Sequence, residues 1–137
     1  MTHIKAFIAG FISTLIFHQG VITLFYMLGV FSRAPFSMAA THPFGVPQVI
    51  SLAFFGGLWG IALWPLIRRA GGVQLWLRAL ILGAVAPTAV AFLIVYPLKD
   101  LPMAAGWDPK LWIGGLIVNG AWGLGLALIM RVLNRSL

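Results

Sequence analysis

Long apolar runs separated by short polar segments dominate the chain. Four runs reach the ~20 residues that a transmembrane helix needs, and they are Ala6–Phe31, Val46–Ile67, Leu75–Tyr96 and Leu111–Val132. Charged residues occur in them only near an end, at Arg78 and Arg131. The first run exceeds the ~7–15 apolar residues of a signal-peptide core, so we expect it to remain in the protein. Because the connections are short, the pattern predicts an all-α integral membrane protein, a four-transmembrane-helix bundle forming one domain over residues 1–137.

The composition is typical of a membrane protein and excludes several kinds of catalytic and metal-binding site. Hydrophobic residues make up 61% of the chain and charged residues 8%, against about 25% charged residues in soluble domains. The net charge of +7 does not predict a nucleic-acid partner, because the longest basic cluster is Arg68-Arg69 and no soluble domain presents it. The chain has no cysteine, which excludes disulfides, thiolate metal sites and thiol catalysis. Two Asp+Glu residues leave little material for acid–base catalysis or ion coupling.

The distribution of Lys and Arg predicts the orientation of the helices. Six of the nine cations fall on one side of the four runs and three on the other. The six are Lys5, Arg68, Arg69, Arg78, Arg131 and Arg135, and the three are Arg33, Lys99 and Lys110. Since cytoplasmic loops carry the excess of Lys and Arg, both termini are predicted to face the cytoplasm.

Three short motifs recur in the same order in the two halves of the chain. Lys5–Gly10 matches Arg78–Gly83, Met38–Ala40 matches Met103–Ala105, and Gly57–Leu63 matches Gly120–Leu126. The matches predict two tandem helical hairpins, 1–70 and 71–137, that arose by duplication and share one orientation, with a pseudo-twofold axis along the membrane normal. Chance recurrence of Gly, Ala, Ile and Trp in apolar sequence is the alternative.

The segment Phe17-His18-Gln19-Gly20 and the two Gly-x-Trp-Gly motifs resemble segments of small bacterial four-helix inner-membrane proteins. The resemblance covers the whole chain and carries no activity with it. It implies a multi-pass protein of the bacterial inner (plasma) membrane, in agreement with the class and topology predicted from the apolar runs.

A few polar residues lie deep inside the predicted helices. Counting 1.5 Å per residue from the flanking cations places His18 and Asn119 ~18–20 Å above the cytoplasmic boundary, with Gln19 beside His18 and Thr88 one turn lower. We therefore predict a polar midplane cluster of these four residues, because buried polar groups in membranes face protein or a cavity. Such a cluster either fixes helix packing through hydrogen bonds or binds a ligand or handles protons.

The histidines do not favour a cofactor or metal site. Haem ligation by His18 needs a second imidazole at matching depth, and the other histidines, His3 and His42, lie outside the apolar runs. A copper site built from His42, Met38 and Met103 would have suitable ligand types, but the spacing of these residues is not diagnostic. We predict no cofactor and no metal.

Small residues recur at helical spacing and predict close packing between helices. Residues four apart lie on one helix face, and small residues there let a second backbone approach. The predicted packing residues are Ala6, Gly10 and Thr14 in the first run, Gly56 and Gly60 in the second, Ala79 and Gly83 in the third, and Gly123 in the fourth.

Two tryptophans lie deeper than the interfacial belt. Trp59 and Trp122 are each nine residues from a cytoplasmic arginine, which places them ~13 Å inside the membrane. We interpret them as large wedges packed against neighbouring glycines, and a quinone or haem platform is the alternative.

These features predict a non-catalytic membrane protein that acts through helix–helix interactions. It would be an accessory or assembly subunit of a larger complex, or a small homo-oligomer, whose partners are the lipid bilayer and other subunits or itself. One alternative is a small transporter or channel with a midplane site of His18, Gln19 and Asn119. Another is a lipid or quinone binder, which lacks a nucleophile–base pair for enzymatic chemistry.

Overall fold

The computed structural model describes residues 1–135 and is all-helical there. Four helices are long and apolar enough to span a membrane: α1 Thr2–Met27, α2 Gln48–Ile67, α3 Gly72–Leu98 and α4 Pro109–Arg135. They correspond one to one to the four predicted runs. The protein is therefore a four-helix bundle with the helix lengths of a multi-pass membrane protein.

Helix α1 ends one turn earlier than its apolar run. Gly29 takes a φ of +76°, and the N–H of Val30 donates to the carbonyl of Phe25 at 2.8 Å. A left-handed residue followed by a hydrogen bond that reaches back five residues is the Schellman arrangement, for which glycine is the favoured residue. The apolar run continues to Phe31, because hydropathy alone does not indicate where the helix ends.

Helices α1 and α3 each contain a π-helical segment. The segments are Thr14–His18 and Ala91–Val95, where the N–H of Gln19 donates to the carbonyl of Thr14 and that of Tyr96 to the carbonyl of Ala91. A π segment inserts one residue into an α-helix and changes which side chains face a neighbour. Neither segment follows from the apolar pattern.

The four helices pack in the order α2, α1, α4, α3. Helix α1 lies against both α2 and α4, and α3 lies against α4. The contact between α2 and α3 is less extensive than each of these three contacts. The core includes Ile67, Leu126 and Met130, all fully buried, whereas apolar side chains on the outer faces of all four helices are exposed. An apolar exterior of this kind suits a hydrocarbon surrounding rather than water.

The two ends of the bundle differ in charge. Lys5 Nζ donates to Asn134 Oδ1 at 3.5 Å, and the Arg131 guanidinium lies 5.6 Å from the centre of the Trp76 ring. These contacts place the start of α1, the α2–α3 connection and the end of α4 together, and we call this the cationic end. Six of the nine Lys and Arg residues belong to it, whereas both aspartates, Asp100 and Asp108, belong to the opposite loop end.

The two connections at the loop end have different conformations. The longer one, residues 28–47, carries an isolated bridge between Ala40 and Pro47. The shorter one contains a 3-10 turn, Met103–Trp107, in which Ala104 and Ala105 have positive φ and are buried. The matching Met-Ala-Ala segments of the two halves therefore do not share one backbone conformation.

Candidate functional site

Backbone contact between α1 and α2 depends on small residues. A Cβ atom added at Gly60 would collide with the Ala6 carbonyl, and one added at Gly10 would collide with the Gly56 carbonyl. A Cβ at Gly56 would collide with the hydroxyl of Thr14. The predicted packing residues of these two helices therefore face one another, with no room for side chains at the three glycines.

The contact between α3 and α4 has the same construction. A Cβ added at Gly123 would collide with the Ala79 carbonyl, and one added at Gly83 would lie 2.7 Å from the Gly123 Cα and 3.1 Å from the Asn119 carbonyl oxygen. Ala79, Gly83 and Gly123 thus stand in the second pair of helices as Ala6, Gly10 and Gly60 do in the first. All eight predicted packing residues lie in these two contacts.

A buried hydrogen-bond network joins α1 to α4 around Trp122. Its indole Nε1 donates to the Gly10 carbonyl at 3.1 Å, and its own carbonyl accepts from the Ser13 hydroxyl at 2.7 Å. The Thr14 hydroxyl also donates to the Gly10 carbonyl, at 2.9 Å. Trp122 is 2% exposed, so it is buried within the bundle, where its hydrogen bonds tie α1 to α4.

Ser13 and the hydrogen bonds of Trp122 are the part of this network that the sequence analysis missed. Gly10 has no side chain to cover its carbonyl, which leaves that oxygen open to a donor from a neighbouring helix. Counting along the helices gives no signal for this bond, because it puts Gly10 five residues from Lys5 and Trp122 nine residues from Arg131, at different depths. Trp59, the corresponding residue of α2, is half-buried and packs against the edge of the core.

The four residues of the predicted midplane cluster form two separate hydrogen-bonded pairs. Asn119 Nδ2 donates to the Thr88 hydroxyl at 2.8 Å, between α4 and α3. Gln19 Nε2 lies 3.3 Å from His18 Nδ1. Within residues 1–135 no hydrogen bond joins one pair to the other, so the four residues are hydrogen-bonded as two pairs, and a single midplane cluster stays a prediction. Counting along the helices estimates depth, but it does not report which way each side chain turns.

Gln19 connects α1 to the long loop. Its Oε1 accepts the backbone N–H of Phe36 at 2.8 Å, and the side chain is 3% exposed. Phe36 has a φ of +54°, and Gln19 lies more than two turns below the end of α1. The long loop therefore folds back over the bundle, where this buried amide holds it.

An aromatic patch lies on the outside of the α1–α2 pair. Ring centroids are 6.2 Å apart for Phe7 and Phe11, 5.7 Å for Phe7 and Phe54, and 5.6 Å for Phe54 and Phe55. Phe54 and Phe55 are 47% and 56% exposed. We call these four residues the α1–α2 aromatic patch.

Two open cavities lie on the surface of the bundle. The loop-end cavity, of about 290 Å³, lies between α1 and α4 and is lined by Phe25, Val30, Phe31, Lys110, Ile113, Gly114 and Ile117. The α2–α3 groove, of about 330 Å³, is lined by Leu66, Arg78, Ile81 and Leu82. Both are lined mainly by apolar side chains, and each has one cation in its wall.

The buried polar groups of the described residues are all used inside the chain. Every buried side-chain nitrogen or oxygen there has a hydrogen-bond partner, and no three His, Asp or Glu residues of this part come together. The hydrogen bonds of these polar side chains hold α1 against α4, α3 against α4, and the long loop against α1.

No protein-family model, curated protein or solved structure matches the chain.

Proposed function

We propose that the protein acts without catalysis, through helix–helix contacts within the membrane. It serves as an accessory or assembly subunit of a larger membrane complex, or as a small homo-oligomer. The observation that carries this proposal is the use of the polar side chains inside the bundle: the buried Ser13, Gln19 and Thr88 and the half-buried Asn119 all bond to groups of the chain itself. Because these groups bond within the chain, the bundle has a fixed shape, and its outer surface is the part that contacts other molecules.

The α1–α2 aromatic patch is the surface where we propose that a protein partner binds. Aromatic residues are enriched at the buried cores of protein interfaces. Here four phenylalanine rings contact one another on one face, and the two on α2 are half-exposed. A partner helix seated on Phe54 and Phe55 buries rigid rings that lose little side-chain freedom.

The transporter alternative is less well supported. It requires one midplane site built from His18, Gln19 and Asn119, and these residues belong to two separate pairs that are each hydrogen-bonded within the chain. We therefore propose a structural role for both pairs: one holds α3 against α4, and the other holds the long loop.

We also propose that the chain consists of two tandem hairpins related by duplication. The equivalent glycine contacts support it, since Gly60 lies against Ala6 as Gly123 lies against Ala79. The π segments in α1 and α3 do not add to this support, because the alignment of Lys5–Gly10 with Arg78–Gly83 sets them four residues apart. On this proposal, the different conformations of the two Met-Ala-Ala segments reflect divergence of the halves at the loop end.

The distribution of charge leads us to propose that both termini lie in the cytoplasm, and the resemblance to small bacterial four-helix membrane proteins leads us to propose a bacterial inner membrane. The cationic end carries six Lys and Arg residues and the loop end carries three together with both aspartates. An excess of Lys and Arg marks the cytoplasmic side of bacterial membrane proteins.

Photo-crosslinking in native membranes tests the proposed role of the aromatic patch. A photoreactive phenylalanine replaces Phe55 in one variant and, as the control, Val85 of α3 in another, since the two native residues are 56% and 54% exposed. We expect the probe at position 55 to form a discrete protein adduct, with a second copy or another subunit, and the probe at position 85 to react with lipid. Equal protein crosslinking at both positions, or none at position 55, would overturn the assignment of the patch.

A further inference from the structure

We propose that the α2–α3 groove is a binding site for a phospholipid with an anionic headgroup. The groove opens to the outside of the bundle between α2 and α3, whose contact is less extensive than the α1–α2, α1–α4 and α3–α4 contacts, and it has an open volume of about 330 Å³. This inference does not depend on the proposed role in assembly.

The wall of the groove matches the two parts of a phospholipid. Leu66 of α2 and Ile81 and Leu82 of α3 form an apolar surface, which suits an acyl chain. Arg78 lies on the same wall, one turn of α3 closer to the cationic end, which suits the phosphate. The acyl chain of one lipid molecule thus lies against the apolar surface and its headgroup against Arg78. This is the order of chain and headgroup in a membrane leaflet, from its interior to its surface.

Arg78 is held in place and still has donors to offer. Its Nη1 donates to the Leu66 carbonyl at 3.1 Å, one of the last carbonyls of α2. A guanidinium has five N–H donors in a rigid planar fork that suits phosphate oxygens. The side chain is exposed, so the remaining donors can reach a headgroup while the bond to α2 keeps the fork at the mouth of the groove.

The charge around the groove selects a negative headgroup. Arg68 and Arg69 follow Leu66 in the α2–α3 connection, and both are exposed. Arg131 lies 5.6 Å from the ring of Trp76, two residues before Arg78. Asp100 and Asp108 lie at the other end of the bundle. A cluster of cations without an acidic neighbour attracts the anionic lipids of a membrane surface.

The loop-end cavity provides a matched control. It is also open and apolar with one cation, Lys110, in its wall. There, however, Asp108 lies two residues away and accepts the backbone N–H of Lys110 at 3.0 Å. Lys110→Gln therefore removes one cation beside an apolar cavity without touching the α2–α3 groove.

Native mass spectrometry of the purified full chain in a non-ionic detergent measures the binding. Dioleoyl phosphatidylglycerol and dioleoyl phosphatidylcholine, which share their acyl chains, are titrated separately. We expect the anionic lipid to bind more tightly to the wild type, and Arg78→Gln to weaken it about fivefold, the contribution of one cation near a membrane surface. Lys110→Gln is expected to leave the affinity unchanged.

Two further measurements separate a loss of lipid binding from a loss of the fold, and a lipid site from a phosphate site. Ile81→Trp keeps every charge but fills the groove, so it should also weaken binding of phosphatidylglycerol, and its helical circular dichroism reports whether the fold is intact even if Arg78→Gln unfolds. Inorganic phosphate alone should not displace the lipid. Equal affinity for the two lipids, equal losses in Arg78→Gln and Lys110→Gln, no loss in folded Ile81→Trp, or displacement by phosphate would each overturn the proposal.

Discussion

At the scale of single residues, the packing of the bundle depends on glycines, because their lack of a side chain lets helix backbones come into contact. Three glycines, Gly10, Gly60 and Gly123, lie where a Cβ atom would collide with the backbone of a neighbouring helix. In a membrane, helices associate through such close packing and through hydrogen bonds between them, because lipid tails are as apolar as the side chains. A single methyl group at one of these positions is therefore a large perturbation.

Gly123→Ala is expected to destabilise the bundle, because its new methyl group meets the Ala79 carbonyl. Overpacking of this kind costs about 1–3 kcal/mol. Gly20→Ala is the control, since a Cβ at Gly20 meets nothing within 4 Å. Unfolding in mixed anionic and neutral micelles, followed by circular dichroism, measures both variants. Equal stability of the two would show that the α3–α4 contact is not as close as described.

Thr88→Val tests the hydrogen bond between α3 and α4. It keeps the shape of the side chain but leaves Asn119 Nδ2 without its acceptor, and we expect a loss of about 0.6 kcal/mol, the average for such bonds in membranes. Thr23→Val is the control, because the Thr23 hydroxyl bonds only within its own helix, to the Gln19 carbonyl. A loss in Thr23→Val as large as in Thr88→Val would contradict a specific role for the pair between helices.

At the scale of elements, the apolar pattern predicts the helices well and their details less well. All four runs are helices, and the small residues at four-residue spacing predict which faces meet, because both signals depend on local periodicity. The end of α1 at Met27, the π segments and the pairing of His18 with Gln19 depend on single backbone bonds and side-chain directions. Periodicity does not carry that information, and this is why it does not indicate that the four polar residues are hydrogen-bonded as two pairs.

One side chain of α1 is hydrogen-bonded to the long loop. Gln19→Leu removes the acceptor for the Phe36 N–H, and we expect hydrogen exchange at residues 32–40 to rise about 2–10-fold, the equivalent of one lost hydrogen bond. Gln74→Leu, at an exposed position near the start of α3, is the control. Unchanged exchange in Gln19→Leu would mean that other contacts hold the loop.

At the scale of the whole molecule, charge divides the bundle into a cationic end and a loop end. Because the chain has no cysteine, one introduced cysteine is a unique label. We expect Thr41→Cys in the long loop to react with a membrane-impermeant maleimide in intact spheroplasts, and Gly71→Cys in the α2–α3 connection to react only after permeabilisation. The reverse labelling would contradict the proposed orientation.

The proposed function requires a bundle with a fixed interior whose outer surface contacts other proteins. Native mass spectrometry after gentle solubilisation from the native membrane tests this claim most directly. We predict a species heavier than the 14.8 kDa chain, either a multiple of that mass or a complex with another subunit, that is lost when Phe54 and Phe55 are both changed to Leu. A strict monomer without a copurifying protein would contradict it.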